Sequence, residues 1–343
     1  MKRLILICAV LALVQAGLVV LTHFSGHSGA LKPGQGVLFP LNAAEVNELL
    51  LEDGAGQRLV LKKENDRWLL PEAGSFPADK VRVQELIERL AGMQRGWPEA
   101  TTAEAASRFK VAPDRFERKL SLRKDGTTLG TVYFGTSPGL RKVYLRVDND
   151  PEIQTLGLAQ HELEVKVDNW IDTAILHLKP EQITRVELPG LHLERTQDGL
   201  QPVDLKADEE EVVKERRDAL VKRLTALTVT ALLGSERKPE YGLDDPALRY
   251  TVQLDGGVTL DYLFGQSPKA EKVEVNDAPP SMGETSYVLK VSNQEQLFRV
   301  DGWQVEEIKN ATRAALVRAK AQKPLPGDMP VPPSPAVPEG EAK

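Results

Sequence analysis

The pentapeptide Phe-Gly-x-Ser-Pro occurs twice, as Phe134-Gly135-Thr136-Ser137-Pro138 and Phe264-Gly265-Gln266-Ser267-Pro268, and the residues around it recur in the same order. Val46, Leu49 and Leu51 match Ile183, Val186 and Leu188. Leu59, Leu61, Lys63 and Asp66 match Leu191, Leu193, Arg195 and Asp198, with spacing kept inside each block. Downstream, Tyr144-Leu145-Arg146-Val147 reappears as Tyr287-Val288-Leu289-Lys290-Val291, which sets Tyr144 against Tyr287. A repeat unit of roughly 130 to 140 residues is a whole domain, not a solenoid module. The chain reads as a duplication, and the kept positions are turn formers and core apolar residues, none a recognisable catalytic group.

Two ordinary domains fit in 343 residues, each able to bury a core without disulfides or metal. The net charge of -6 is spread over interspersed acids and bases, so no basic face for nucleic acid is formed. Cys8, the only cysteine, lies in the N-terminal apolar run, which rules out an internal disulfide and a thiolate zinc site. It reads as an inert buried thiol, since Ile5-Leu6-Ile7 lacks the small residues that should precede a lipidated cysteine.

Lys2-Arg3 precede Leu4 to Leu21, an apolar stretch broken only by Gln15. At 1.5 Å per residue it nearly crosses a hydrocarbon core of about 30 Å. The alternative is a signal peptide cleaved after Ala16, but the apolar run continues through Gly17-Leu18-Val19-Val20-Leu21. Residues 1–22 are therefore expected to form a transmembrane helix. The basic pair orients the N-terminus toward the cytoplasm and leaves the bulk of the chain outside the cytoplasmic membrane, on the periplasmic side.

The expected fold is α+β: a spacer at 23–40, a first α+β repeat at 41–181, a second at 182–320 and a disordered proline-rich tail at 321–343. Repeat one shows strands from Val46 to Glu52, Gln57 to Lys63 and Arg67 to Leu70. A helix from Ala78 to Met93 carries Val83, Leu86, Ile87 and Leu90 at helical spacing. After Pro113 a hairpin joins Lys119–Arg123 to Thr127–Phe134, and a strand runs through Tyr144. Repeat two retraces this course, its clearest element a hairpin with Tyr250, Val252 and Leu254 alternating before Asp255-Gly256-Gly257 and Val258, Leu260, Tyr262 and Phe264 after it, one face being core. A last helix is expected from Trp303 to Ala319.

No catalytic, cofactor-binding or metal-binding set emerges. Among the five histidines only His23 and His27 have helical ligand spacing, and both lie in the spacer. No nucleophile elbow, dinucleotide fingerprint or phosphate loop occurs. Asp244-Asp245-Pro246 reads as turn chemistry, and Glu209-Glu210-Glu211 as negative charge at a helix N-terminus. The repeated pentapeptides read first as turns, with glycine, serine and proline each serving backbone geometry. As exposed loops they also supply the candidates for partner contact: Phe134, Ser137, Tyr144, Phe264, Ser267 and Tyr287. Trp68, Trp97, Trp170 and Trp303 are expected in cores or at a domain interface.

Strand pairs ending in tryptophan, a helix, Tyr241-Gly242-Leu243-Asp244-Asp245-Pro246, a hairpin, Phe264-Gly265 and Tyr287-Val288 resemble the domain of unknown function 4340 family. The resemblance is close in repeat two and looser in repeat one, where Phe109-Lys110-Val111-Ala112-Pro113 stands in the place of the Tyr-Gly-Leu element. It covers about Val46 to Ala319 and brings no catalytic residues. It implies a single-span membrane protein encoded beside the permease and auxiliary components of a gliding-motility-type ABC transporter. The expected role is thus a non-enzymatic, membrane-anchored accessory or scaffold protein of an ABC-type export or gliding-like system. A cell-envelope polymer-binding module and an envelope hydrolase are the rivals, distinguished by an exposed aromatic groove and by two titratable groups converging in a cleft. If the anchor is retained, mass spectrometry of the mature protein finds Met1 or Lys2 at its start; a mature N-terminus at Gly17 or beyond would refute the anchor.

Overall fold

The computed structural model describes residue 15, residues 36–266 and residues 285–320. The expected anchor, apart from Gln15, the proline-rich tail and Ser267 lie outside the described residues. Among the described residues no helix is long and apolar enough to cross a membrane. The fold is mixed α+β with antiparallel sheets, divided into two compact units.

Unit one runs to Ile175 and adds Val229–Gly234. Four strands come first: β1 (Glu48–Asp53), β2 (Arg58–Glu64), β3 (Arg67–Leu70) and β4 (Phe76–Pro77). Helices α1 (Lys80–Ala91) and α2 (Ala103–Phe109) follow, then the short β5 (Val111–Ala112) and β6 (Arg115–Phe116). The meander β7 (Arg118–Lys124), β8 (Thr127–Phe134), β9 (Val143–Val147) and β10 (Ile153–Leu156) completes an eight-stranded sheet of order β10-β9-β8-β7-β1-β2-β3-β4. Alternation puts leucines on one face: Leu49 lies opposite both Leu61 and Leu122, Leu51 opposite Leu59 and Leu120, and all six are buried. The α1 helix starts where the Asp79 carboxylate accepts the Arg82 N–H at 3.0 Å, and it buries Val83, Leu86, Ile87 and Leu90. The α2 helix was not foreseen. Capped by Thr102, it buries Ala105 and Ala106 in a second small core with Val111, Tyr133 and Ile153.

Unit one begins earlier than residue 41. Leu38 and Phe39 are buried, the Leu38 N–H donates to the Met93 carbonyl at 2.7 Å, and the Phe39 ring occupies the space a side chain at Gly130 would need. The expected spacer therefore ends by Gly36, because two large apolar side chains at its end are worth burying.

Unit two comprises Leu176–Thr228 and the chain from Ser235. Its start precedes the expected boundary, and Val229–Gly234 belongs with unit one, where the Val229 N–H donates to the Thr173 carbonyl and that of Leu232 to the Asp168 carboxylate. Strands β11 (Ile183–Leu188), β12 (Leu191–Thr196), β13 (Gly199–Pro202) and β14 (Glu210–Val212) precede α3 (Lys214–Thr225). After β15 (Ala231–Leu232), which lies in unit one, come β16 (Leu248–Leu254), β17 (Thr259–Gln266), β18 (Ser286–Val291) and β19 (Leu297–Asp301). The unit-two strands are ordered β13-β12-β11-β16-β17-β18-β19. This is the connectivity of β3-β2-β1-β7-β8-β9-β10 in unit one, again with a helix between the third strand and the return to the first.

The two ladders agree in register at the repeated hairpin. Phe134 pairs with Arg118, and Phe264 with Leu248, at the same offset from the pairs Leu120–Val132 and Tyr250–Tyr262. The next strand corrects the expected Tyr144–Tyr287 match. Phe134 lies opposite Leu145 and Phe264 opposite Leu289, so Tyr144 corresponds to Val288 and Tyr287 to Val143. Within the strand itself no residue is inserted; the two tyrosines are one position apart and point to opposite faces.

The last expected helix is broken into α4 (Gly302–Lys309), α5 (Arg313–Leu316) and a strand β20 (Val317–Ala319). Thr312 recaps the chain by accepting the Ala315 N–H, and β20 pairs with β14. The acidic run is therefore largely strand, not a helix N-terminus: Glu210 binds Arg313 at 2.6 Å and Glu211 binds Arg318 at 2.6 Å. Arg313 at the start of α5 and Arg318 across the β14–β20 ladder outcompete the helix dipole for these acids.

Unit two buries three tyrosines among its leucines and valines, whereas Val258, expected on the same hairpin face, is exposed in the turn before β17. Tyr250 and Tyr262 are a direct cross-strand pair whose rings stack at 4.6 Å, and Tyr250 also meets Phe264. Burial pushes the Tyr262 phenol up to about 12 and raises that of Tyr250 as well. Burial and the hydrogen bond donated to Glu306 at 2.5 Å raise Tyr287 to about 12. A folded-state value above the unfolded one gives stability that is complete below about pH 10 and lost as pH rises toward 12. Unit two should therefore lose stability progressively between pH 10 and 12, with Tyr262 contributing on the order of 2 kcal/mol. Thermal melts of Tyr262→Phe should show a shallower decline over that window, and an unchanged slope would refute this. The Tyr250 hydroxyl is buried and has no hydrogen-bond partner among the described residues, so Tyr250→Phe should keep or raise stability by up to about 1 kcal/mol.

Candidate functional site

The two Phe-Gly turns are the positions that sequence and fold both single out, and they are built alike. In unit one the chain leaves β8 at Phe134. The Gly135 N–H then donates to the Tyr144 carbonyl at 2.9 Å, and the Thr136 N–H to the Phe109 carbonyl at 2.9 Å. That carbonyl lies so close to Gly135 that a β-carbon there would fall far inside contact distance. In unit two the Tyr241 carbonyl crowds Gly265 in the same way. Glycine is required because a neighbouring backbone crosses the strand end, not because the turn itself needs a left-handed conformation.

The crossing segments also match in conformation. Gly242 ends the 3-10 turn Pro239–Tyr241 at φ 61°, ψ 23°, and Lys110 ends α2 at φ 57°, ψ 48°. The sequence departure from Tyr-Gly to Phe-Lys in unit one thus leaves the backbone course intact, at the cost of a left-handed lysine. Lys110 is held there by an ion pair with Glu117, and the Phe109 ring stacks on Tyr144 at 4.2 Å.

Beyond the glycine, Ser137 closes the unit-one loop. Its hydroxyl lies 2.6 Å from both the Gly139 and the Lys142 carbonyl oxygens, and the Lys142 N–H donates back to Gly139 at 3.3 Å. The resulting tight turn places Leu140 at its tip, 92% exposed, next to Arg141 at a positive φ of 53°.

Of the expected contact residues, Phe134, Phe264 and Tyr287 are buried in their own units and offer no surface to a partner. Tyr144 is half-buried under Phe109, and Ser137 is exposed but occupied with its own turn. The surface feature of the loop is Leu140. Its signal in the sequence was a leucine inside Pro-Gly-Leu-Arg-Lys, a turn composition in which an apolar residue has no buried side to occupy. Trp68 and Trp170 are buried as expected, whereas Trp97 and Trp303 are 64% and 55% exposed. Arg223 covers one face of Trp303 at 4.5 Å.

Basic side chains at the kept positions act as staples. Lys63 and Lys80 both bind Asp66, at 2.9 and 2.8 Å, and hold its carboxyl down at about 2. In unit two Arg195 donates to the Ile183 and Pro180 carbonyls, and Arg217 to the Asp198 carbonyl at 2.6 Å, beside a shallow cleft over Leu200 and Val221. The Lys80–Asp66 pair in unit one and the Arg217–Asp198 bond in unit two tie the turn after the second strand to the helix that follows, while Arg195 ties β12 to the start of β11. Among the described residues no three histidine, cysteine, aspartate or glutamate side chains gather into a metal-holding group.

A pair of antiparallel α+β units with architectural turns defines the class. Residues 68–246, just over half of the chain, match the model for Domain of unknown function (DUF4340), and the protein belongs to that family. The match begins at Trp68 in β3 and ends at Pro246 before β16, so it spans parts of both units. No curated protein and no solved structure is detectably similar to the chain.

Gly135→Ala and Gly265→Ala should each destabilise by about 3 kcal/mol or more, since backbone must move. Lys110→Gly should range from neutral to about 1 kcal/mol stabilising, relief of the left-handed lysine being offset by loss of an exposed ion pair. Urea denaturation measures all three, and a Gly265→Ala protein as stable as the parent would refute the joint.

Proposed function

We propose that this protein is a membrane-tethered, extracytoplasmic, non-enzymatic accessory or scaffold protein whose two units are copies of one domain, serving an ABC-type export or gliding-like transport system. The observation that carries the reading is what the two units keep in common. They share a strand order, a hairpin register, a glycine beneath a crossing carbonyl and a left-handed residue beside it. All of these preserve shape. A repeated domain that keeps its frame and varies its surface suits a protein that holds others in place.

Tethering rests on the apolar run Leu4 to Leu21, and the bulk of the chain is assigned to the periplasmic side by Lys2-Arg3. Unit one stays near the bilayer and meets an outer loop of a permease or auxiliary subunit, and unit two presents its surface to an extracytoplasmic partner. The polymer-binding alternative draws on the exposed Trp303, but with Arg223 over one face the ring is only half open to a sugar.

Purification of the full chain from membranes in mild detergent, after crosslinking, should recover a permease or auxiliary component of an ABC transporter. Deleting the chain from Ser235, which removes β16 to β19 of unit two and keeps Val229–Gly234 of unit one, should leave that complex assembled but inactive. Recovery without any membrane partner would overturn the transport role. Peptidase, esterase or glycosidase turnover abolished by a single substitution would overturn the non-enzymatic one.

A further inference from the structure

Trp97 stands in the middle of a segment that is clamped on both sides. Before it, the Arg95 N–H donates to the Gly36 carbonyl at 2.9 Å, and the Arg95 guanidinium binds Asp150 at 2.5 Å and Glu152 at 2.6 Å. Behind it, the Glu99 N–H donates to the Ile153 carbonyl at 2.7 Å, and Ile153 returns a bond to Ala100 at 2.8 Å. Gln154 also reaches the Gly96 carbonyl at 3.4 Å. A segment held this firmly could have turned its largest side chain inward; it leaves the indole exposed instead, and Val37, which bridges to Gln94 earlier in the segment, is exposed as well.

The position of this segment in the chain says what it faces. Gly36, bonded to Arg95, is where the described part of unit one begins, and the apolar run of the sequence ends at Leu21. The roughly 14 residues between them reach at most about 50 Å when fully extended, and about 20 Å as an average flexible chain. Trp97 is two residues from the bond to Gly36, so it lies at the end of unit one that the tether holds nearest the membrane. The exposed Leu140 loop precedes β9, whereas the Asp150–Glu152 clamp follows it, so the two features occupy opposite ends of that strand. Arg95 offsets one of the two carboxylate charges of Asp150 and Glu152, so the indole projects beside one net negative charge from the clamp, with the exposed Glu99 two residues on. Indole rings of this kind favour the headgroup layer, where one edge is wet and the body is apolar.

We propose that Trp97 is the point at which unit one rests on the lipid surface, its indole lying in the headgroup layer and fixing the unit's attitude on the bilayer. The inference rests on the tether in the proposed function. The test uses the full chain reconstituted into phosphatidylcholine vesicles, with the intrinsic tryptophans as probes. Flotation with the vesicles reads the tether, and quenching by brominated phosphatidylcholine reads the contact.

The expected result is flotation together with quenching that is stronger for bromines placed shallow in the acyl chain than for bromines near its end. Trp97→Phe should lose that quenching, and Trp303→Phe should keep it. Flotation without Trp97-dependent quenching overturns the contact and leaves the tether standing. Failure to float overturns the tether, and the contact with it. A photocrosslinking residue placed at Trp97 in native membranes should capture lipid, and capture of a protein instead would overturn the lipid contact in favour of a protein one.

Discussion

Each sheet is held together by one long-range ladder. β1 pairs with β7 and β11 with β16, joining a first meander to a second one more than 60 residues later. Without that ladder each unit would be two small hairpin groups, each with an open edge and half a core. The apolar pairs Leu49–Leu122 and Val186–Val252 sit on it and are fully buried. Closing such a loop costs entropy before the contacts form, which places the decisive step of folding in this pairing and makes it slow relative to the local hairpins.

The glycine joint follows from the same topology. The chain on its way to β7 or β16 must pass the end of β8 or β17, and it does so with the Phe109 or Tyr241 carbonyl against Gly135 or Gly265. A side chain at that strand end would push the crossing segment outward and loosen the small core that α2 forms with Tyr133 and Ile153 in unit one. The left-handed residues Lys110 and Gly242 turn the chain immediately after the crossing. One constraint thus accounts for a motif that looked, as a string, like a recognition loop.

The surface left after this architecture is satisfied is where function must lie. In unit one it is marked at two ends of β9: by the Leu140 turn stapled through Ser137, and by Trp97 between its clamps. In unit two the arginines that line its shallow cleft are largely spent on backbone carbonyls, and the core tyrosines are out of reach of any ligand.

Much of the architecture was legible because it is written in short periods. Alternating leucines placed β1, β2 and β7, and the three- and four-residue spacing of Val83, Leu86, Ile87 and Leu90 placed α1, since both depend on which side of a local element meets the core. The sequence by itself determined the α+β class and the two similar hairpins, whereas it gave all four tryptophans one expectation that only Trp68 and Trp170 meet by burial. What it could not determine depended on partners distant in the chain. The end of the expected last helix became β20 because β14 was there to pair with it and Glu210 and Glu211 were there to bind Arg313 and Arg318. The docking of Leu38 and Phe39, the one-residue offset between Tyr144 and Tyr287, and the exposure of Trp97 and Leu140 were likewise decided only in three dimensions. A side chain's face is set by strand register and by what lies across the ladder, and neither is a property of the residues next to it.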